Sequence, residues 1–93
     1  MNFNKFDIDE KIATIINEQT FWIGENANIE VVVNLYEDNN GYKITSWLNG
    51  TEELNTIDYE GSIDNQYEIL AAMEKLVNDN ESYILDIASW DGN

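Results

Sequence analysis

The residues of this chain that could do chemistry are its carboxylates. The 93-residue sequence contains 19 Asp and Glu against four Lys, with no Arg and no His, for a formal net charge of −15 at pH 7. Carboxylates can transfer protons, bind cations, or attract the Lys and Arg side chains of a partner. Like charges at this density repel one another and lower stability at low salt. Because a neutral surface would avoid that cost, we interpret the acidity as serving a function.

Catalysis is not indicated by the rest of the composition. The absence of His and Cys removes the commonest general base and all thiolate chemistry. The serines at positions 46, 62, 82 and 89 lack a Gly-x-Ser-x-Gly context, and no glycine-rich phosphate loop occurs. Paired carboxylates could hydrolyse glycosides, but among 19 acids some pair always lies close. We therefore expect neither enzymatic activity nor a cofactor.

A calcium site is not indicated either. Residues 38–41 read Asp-Asn-Asn-Gly and are rich in oxygen atoms, but an EF-hand loop in this frame would place its first ligand at Tyr36. A hairpin turn explains these residues, and a helix start explains the acids at Asp7 and Asp9. We expect no metal site.

The stretch from Asn28 to Leu48 predicts a β-hairpin around which the other elements are arranged. Residues 29, 31, 33 and 35 are all apolar and alternate with more polar ones, so they should face the core. Residues 37–41 read Glu-Asp-Asn-Asn-Gly and predict the turn, because Asn and Gly tolerate positive φ. Further strands are expected at 54–60, after the turn Asn49-Gly50, and at 82–88.

Two helices are predicted from helical spacing and capping residues. Isoleucines recur on one face over about residues 8–18, after an Asp and a Glu with the spacing of a capping box. Apolar residues recur in the same way over about residues 66–78, where Asn65 precedes Glu68 by three positions.

These elements predict one α+β domain over residues 1–93. Its antiparallel β-sheet has three to five strands with the central hairpin at 28–48, and the two helices, at about 8–18 and 66–78, pack on it. The N-terminus lacks the basic region and apolar run of a signal peptide, and no apolar run approaches the ~18 residues needed to span a bilayer. The sequence thus predicts a soluble, cytoplasmic protein.

The acids in and after the hairpin form the candidate binding surface. Alternate residues on one strand face lie about 6.6 Å apart, which resembles the distance between successive phosphates. Asp58 and Glu60, extended by Glu52 and Glu53 in the turn before them, would therefore imitate a short run of nucleic-acid backbone. A groove built for nucleic acid would bind them through Lys and Arg, whereas a merely solvated acidic face would have no partner. The candidate partner-binding residues are Glu30, Tyr36, Glu37, Asp38, Glu52, Glu53, Asp58, Glu60 and Asp64.

Aromatic side chains are a second candidate feature of that surface. Tyr36 shares a strand face with Glu30, and Trp47 shares one with Lys43, so either aromatic is a candidate exposed anchor among charges. Trp22 is expected in the core.

Residues 37–46 read Glu-Asp-Asn-Asn-Gly-Tyr-Lys-Ile-Thr-Ser and lie between a leading helix and a later one. In this layout, and in size and charge, the first half of the chain resembles small acidic phage and mobile-element proteins that act as DNA mimics. These include anti-CRISPR inhibitors of type II effector nucleases, uracil-DNA glycosylase inhibitors and anti-restriction proteins. The resemblance implies an inhibitor that acts in the host cytoplasm on a basic nucleic-acid-binding protein. The predicted strand after the second helix departs from that layout, and no binding residue is carried over.

Three functions fit the sequence. The first is a DNA-mimic inhibitor of a host defence nuclease, such as a CRISPR effector. The second is an immunity protein or antitoxin that neutralises a basic nuclease toxin by the same electrostatics. The third is an acidic structural or regulatory interaction module without mimicry, with scattered acids and an apolar partner patch. All three exclude direct binding to nucleic acid and to anionic membranes, because their phosphates repel this charge.

Overall fold

The computed structural model describes residues 14–91, and the side chains of residues 14–89. This part of the chain forms a four-stranded antiparallel sheet and two helices, which confirms the predicted α+β class. The strands follow one another across the sheet in chain order. The elements are β1 (Thr14–Ile23), β2 (Ile29–Asp38), β3 (Gly41–Leu48), β4 (Glu52–Asp58), α1 (Gln66–Asp79) and α2 (Glu81–Asp91).

β2 and β3 form the predicted central hairpin. Its turn has Gly41 at φ +116°, and the Asn40 backbone N–H donates to Oδ1 of Asp38 at 2.8 Å. Asp38 and Gly41 are still register partners, so the strands extend further into the Asn-Gly segment than predicted. Gly at this φ and a short side-chain acceptor are the local features that the turn requires.

β1 occupies part of the segment for which a helix was predicted. Residues 8–13 of that prediction lie outside the described residues, and residues 14–18 are strand, so for them the prediction is wrong. Ile15 and Ile16 are β-branched, which suits a sheet better than a helix. Their apparent helical spacing arises where a bulge at Ile16 interrupts the alternation of β1 against β2.

α1 begins where its capping pair predicts. The Asn65 side chain accepts a hydrogen bond from the Glu68 backbone N–H at 3.1 Å, which satisfies one of the free donors of the first turn. The helix buries Ile69, Met73 and residues 76–77 on one face. The sequence predicts this same helical spacing of apolar residues over about residues 66–78.

α2 replaces the strand predicted over residues 82–88, so that prediction is wrong. The Ile84 backbone N–H donates to the Asn80 carbonyl at 2.9 Å, which starts a new helix directly after α1. Ile84 is fully buried, and Ile87 and Ala88 pack beside it. These positions are three and four residues apart, which is helical spacing, so burial of this face favours the helix over an edge strand.

The core lies between one face of the sheet and the helices. Val31, Val33, Leu35, Ile44 and Leu48 of the hairpin form the sheet side of the buried cluster, as the alternation predicts for β2. The opposite side chains of β1–β4 form what we call the outer face. Among the described residues, no helix is long and apolar enough to cross a membrane.

Candidate partner-binding surface

Four of the predicted acids follow the β4 edge of the sheet, and we call them the β4 strip: Glu52, Glu53, Asp58 and Glu60. Within residues 14–91, β4 pairs with β3 on one side and with no strand on the other. All four strip residues are exposed. Glu53 and Asp58 lie about 13 Å apart at a rise of ~3.3 Å per residue, because their partners on β3 are four positions apart and a bulge in β4 takes up the fifth position. Glu53 and Asp58 face the outer side, whereas Glu52, opposite the core residue Leu48, points to the other side of the same edge. The strip therefore follows the edge without lying on one face.

Lys43 neutralises part of the β4 strip. Its Nζ lies 2.8 Å from Oδ1 of Asp58, directly across the β3–β4 pairing. The hydrogen bond to Asp58 raises the pKa of Lys43 above 10.5, helped by the charges of Asp58 and Asp38 and opposed by desolvation. A cationic partner that competes for Asp58 must therefore displace a lysine that stays charged at neutral pH.

The hairpin end of the sheet gathers further acids beside Asp58 and Glu60. Asp38 is opposite Gly41, and the Tyr59 backbone N–H donates to the Tyr42 carbonyl at 2.9 Å, so residues 38, 41 and 60 lie on neighbouring strand ends. Glu37 is exposed but projects toward the helix side of the sheet, one position out of phase with Asp38. Asp38 is half-buried, and its carboxylate is already used by the turn.

The remaining predicted acids lie away from the strip. Glu30 is half-buried on the outer face of β2, opposite Trp22 of β1. Asp64 is exposed in the loop before α1, which crosses toward β1, because Asn17 of β1 donates to the Gln66 side chain at 2.8 Å. The nine candidate residues therefore do not share one surface.

Tyr36 is buried, contrary to the expectation that Tyr36 or Trp47 is exposed. Tyr36 is 8% exposed and Trp47 is 1% exposed, and both lie on the outer face. The Tyr36 hydroxyl accepts a hydrogen bond from Oγ1 of Thr45 at 3.2 Å. The expectation of an exposed anchor was wrong for both residues because the outer face has a buried centre of its own.

Hydrogen bonds between side chains connect that buried centre to the acids at its borders. Nε1–H of Trp47 donates to Oδ1 of Asn34, and Nδ2 of Asn34 donates to Oε2 of Glu18, each at 2.5 Å. A second series joins Thr45 to Thr56 at 2.8 Å and Thr56 to Glu53 at 3.1 Å. Together these bonds cross all four strands, so the orientation of Glu18 and Glu53 depends on the packing of the sheet.

The loop between β4 and α1 is held by its own polar contacts. The buried Tyr59 hydroxyl donates to the Ser62 carbonyl at 2.7 Å, and the Ser62 backbone N–H donates to Oε1 of Glu68 at 3.2 Å. Burial, and then the nearby Glu68 carboxylate, raise the pKa of Tyr59 above 10.0. Gly61 fits because a Cβ there would lie 2.5 Å from Oε2 of Glu68. These contacts hold the backbone on the C-terminal side of Glu60.

The exposed aromatic residues are ones that sequence reasoning missed. Tyr67 is 87% exposed in the first turn of α1, and Trp22 is 57% exposed on β1, where core burial was expected. Tyr83 on α2 is exposed as well. Position 67 is off the 69, 73, 76 and 77 face of α1, and that spacing was the available signal. For Trp22 the signal was absent, because it depends on β1 lying at the sheet edge.

The acids do not gather around a cation. Within the part of the chain that the structure describes, no group of three or more Asp or Glu is placed to hold a metal ion. The arrangement is instead suited to contacts with separate cationic side chains. Comparison of the chain with protein-family models, with curated proteins and with solved structures yields no match.

Proposed function

We propose that this protein is a DNA-mimic inhibitor that binds the nucleic-acid-binding groove of a basic host defence nuclease, of which a CRISPR effector is the leading candidate. The observation that carries the proposal is the β4 strip, an exposed line of carboxylates on a sheet edge. A groove that binds nucleic acid presents Lys and Arg at the spacing of phosphates, and carboxylates at similar spacing can form charge-assisted hydrogen bonds with them.

The position of the strip supports contact with a groove rather than a flat surface. Among the described residues no strand lies beyond β4, so a partner can approach its side chains from the edge as well as from the face of the sheet. Glu53 and Asp58 occupy two separate places along this edge, about 13 Å from one another by strand rise. Lys43 is the only lysine of β3 and β4, and its ion pair is with Asp58.

The overall charge supports the choice of a basic partner. A net charge of −15 accelerates encounter with a cationic groove and disfavours encounter with nucleic acid itself. An immunity protein for a basic nuclease toxin would use the same electrostatics, so the identity of the inhibited enzyme distinguishes the two functions.

A matched pair of charge variants tests the proposal. The strip variant E52Q/E53Q/D58N/E60Q removes the four carboxylates of the β4 strip. The control variant E25Q/E74Q/D79N/D86N removes four exposed carboxylates from the β1–β2 turn and the helices. Both change the net charge equally, so a non-specific charge effect would affect them alike.

The measurement is DNA cleavage by guide-loaded type II CRISPR effectors and by basic toxin nucleases, each titrated with the full chain. We expect inhibition that duplex DNA relieves by competition, that weakens with salt, and that the strip variant loses by about tenfold or more while the control keeps it. Equal losses in the two variants, or inhibition that excess DNA leaves unchanged, would contradict mimicry. Inhibition of the toxin nucleases alone would support the immunity function instead.

A further inference from the structure

Among residues 14–91, β1 forms the other edge of the sheet. Its outer side pairs with no other strand among residues 14–91. None of its residues is buried, whereas its neighbour β2 is buried at five positions. The backbone N–H and C=O groups of such an edge are a template for pairing with another strand.

The two edges of the sheet differ in how they are protected against strand addition. β4 carries three acids in its seven residues, Glu52, Glu53 and Asp58. β1 is ten residues long and carries one charge, Glu18, with neither Lys nor Pro. Charged residues, Pro and bulges are the usual protection of an edge strand. The bulge at Ile16 protects only the start of β1 and leaves residues 17–23 in regular register with β2.

The side chains of residues 17–23 offer contacts to an added strand. Glu18, Thr20 and Trp22 alternate on the outer face, and all three are exposed. An added antiparallel strand would place its own side chains about 4.5–5.5 Å from them, measured between Cβ atoms. A cation opposite Glu18 would meet a carboxylate, and a cation opposite Trp22 would meet the indole ring.

We propose that the β1 edge binds an extended basic segment of a partner protein by antiparallel strand addition, with basic side chains four residues apart facing Trp22 and Glu18. Charge complementarity selects this occupant, because a second copy of the chain would bring two charges of −15 together. The β4 strip takes no part in this contact, so the inference does not depend on the proposed function.

A synthetic peptide tests the inference on the full chain. The probe is acetyl-Val-Arg-Val-Thr-Val-Lys-Val-amide, in which Arg is placed opposite Trp22 and Lys opposite Glu18 when Thr is opposite Thr20. A control peptide of the same sequence is N-methylated at alternate residues, which keeps its charge but removes the backbone donors on one edge. Binding is measured by calorimetry at low and physiological salt, and amide hydrogen exchange locates the contact.

Strand addition predicts a specific pattern of results. The probe should slow amide exchange in residues 17–23. The N-methylated peptide should bind about tenfold or more weakly, because it has no N–H groups to donate to the backbone carbonyls of the β1 edge. Trp22→Ala should weaken binding by about tenfold, as expected for an aromatic anchor. Thr20→Lys should weaken it further, whereas Ala71→Lys, with the same charge change on an exposed position of α1, should change it by less than about twofold.

Other outcomes would overturn the inference. Equal binding of the two peptides would indicate charge attraction without strand pairing. Slow exchange in the free protein of those residue 17–23 amides that point away from β2 would indicate that a second copy or another segment of the chain already covers the edge, and light scattering would identify the former. Binding that the variant E52Q/E53Q/D58N/E60Q abolishes and Thr20→Lys does not would assign the peptide to the β4 strip.

Discussion

The indole Nε1–H of Trp47 donates a hydrogen bond to Oδ1 of Asn34 at 2.5 Å across the β2–β3 pairing, and both side chains are about 1% exposed. An Asn in the middle of a sheet is unusual unless its amide is satisfied, and here the amide also donates to Glu18. The pair connects the buried centre of the outer face to the acid on the edge strand. Its removal should therefore affect stability more than an ordinary polar substitution.

Asn34→Ala should lower the free energy of unfolding by about 1–3 kcal/mol, because it leaves the buried indole N–H without an acceptor. Trp47→Phe removes the donor, so the double variant should be less destabilised than the sum of the single variants. Urea denaturation followed by far-ultraviolet circular dichroism measures each value. The control is Asn78→Ala at an exposed position of α1, which should stay within about 0.5 kcal/mol of the parent. Additive single effects would show that the hydrogen bond contributes little.

Gly61→Ala should destabilise the loop before α1 by about 1–3 kcal/mol because of overpacking. The new Cβ would lie 2.5 Å from Oε2 of Glu68 and 2.6 Å from the Tyr59 hydroxyl, so both side chains must move. In a Glu68→Ala background the cost of Gly61→Ala should be smaller, since one of the two close contacts is gone. Thermal denaturation of the four proteins measures this difference. An unchanged melting temperature for Gly61→Ala would mean that the loop relaxes without cost.

The free energy of unfolding should fall as the pH rises above about 10, because Tyr59 and Lys43 both have pKa values raised in the folded protein, from 10.0 and 10.5 respectively. A group with a raised folded pKa contributes stability that is present below its unfolded pKa and lost as the pH rises through its folded pKa. Urea denaturation between pH 8 and pH 11 measures the fall.

Tyr59→Phe separates the two contributions to this alkaline transition. It removes the hydrogen bond to the Ser62 carbonyl, at a cost of about 1 kcal/mol at pH 8, but it also removes the ionisable group, so its stability should fall less between pH 8 and pH 11. Tyr67→Phe is the control, because Tyr67 is 87% exposed and its hydroxyl lies in solvent. If the free energy of unfolding of Tyr59→Phe falls between pH 8 and pH 11 as much as that of the parent does, the alkaline transition belongs to other groups.

Salt should stabilise this protein. With a net charge of −15, repulsion among the carboxylates is screened as the Debye length shortens, so the free energy of unfolding should rise by about 1–2 kcal/mol from 20 mM to 0.5 M NaCl. The variant E52Q/E53Q/D58N/E60Q should be more stable at low salt and respond less to added salt. A stability independent of NaCl in the parent would show that the carboxylates are too far apart to repel one another significantly.

Local patterns predicted the parts of the fold that depend on neighbours in sequence. The β2–β3 hairpin follows from alternation and from an Asn-Gly turn, and α1 follows from its cap at Asn65 and its apolar spacing, because both signals act within a few residues. The segments of β1 and α2 carry apolar residues that fit either spacing. Their conformations depend on partners distant in sequence, namely β2 for β1 and the buried cluster around Ile84 for α2.

For the candidate binding surface, too, the sequence determines one part and the tertiary structure another. Composition alone establishes an acidic chain without His, Cys or Arg, because charge is a sum over residues that does not depend on their positions. Our proposal of a cationic partner starts from that charge. The tertiary structure was needed to align Glu52, Glu53, Asp58 and Glu60 on one edge, to place Asp64 elsewhere, to bury Tyr36 and to expose Trp22. Strand register and the order of strands in the sheet set those neighbours, and both result from the packing of residues far apart in the chain.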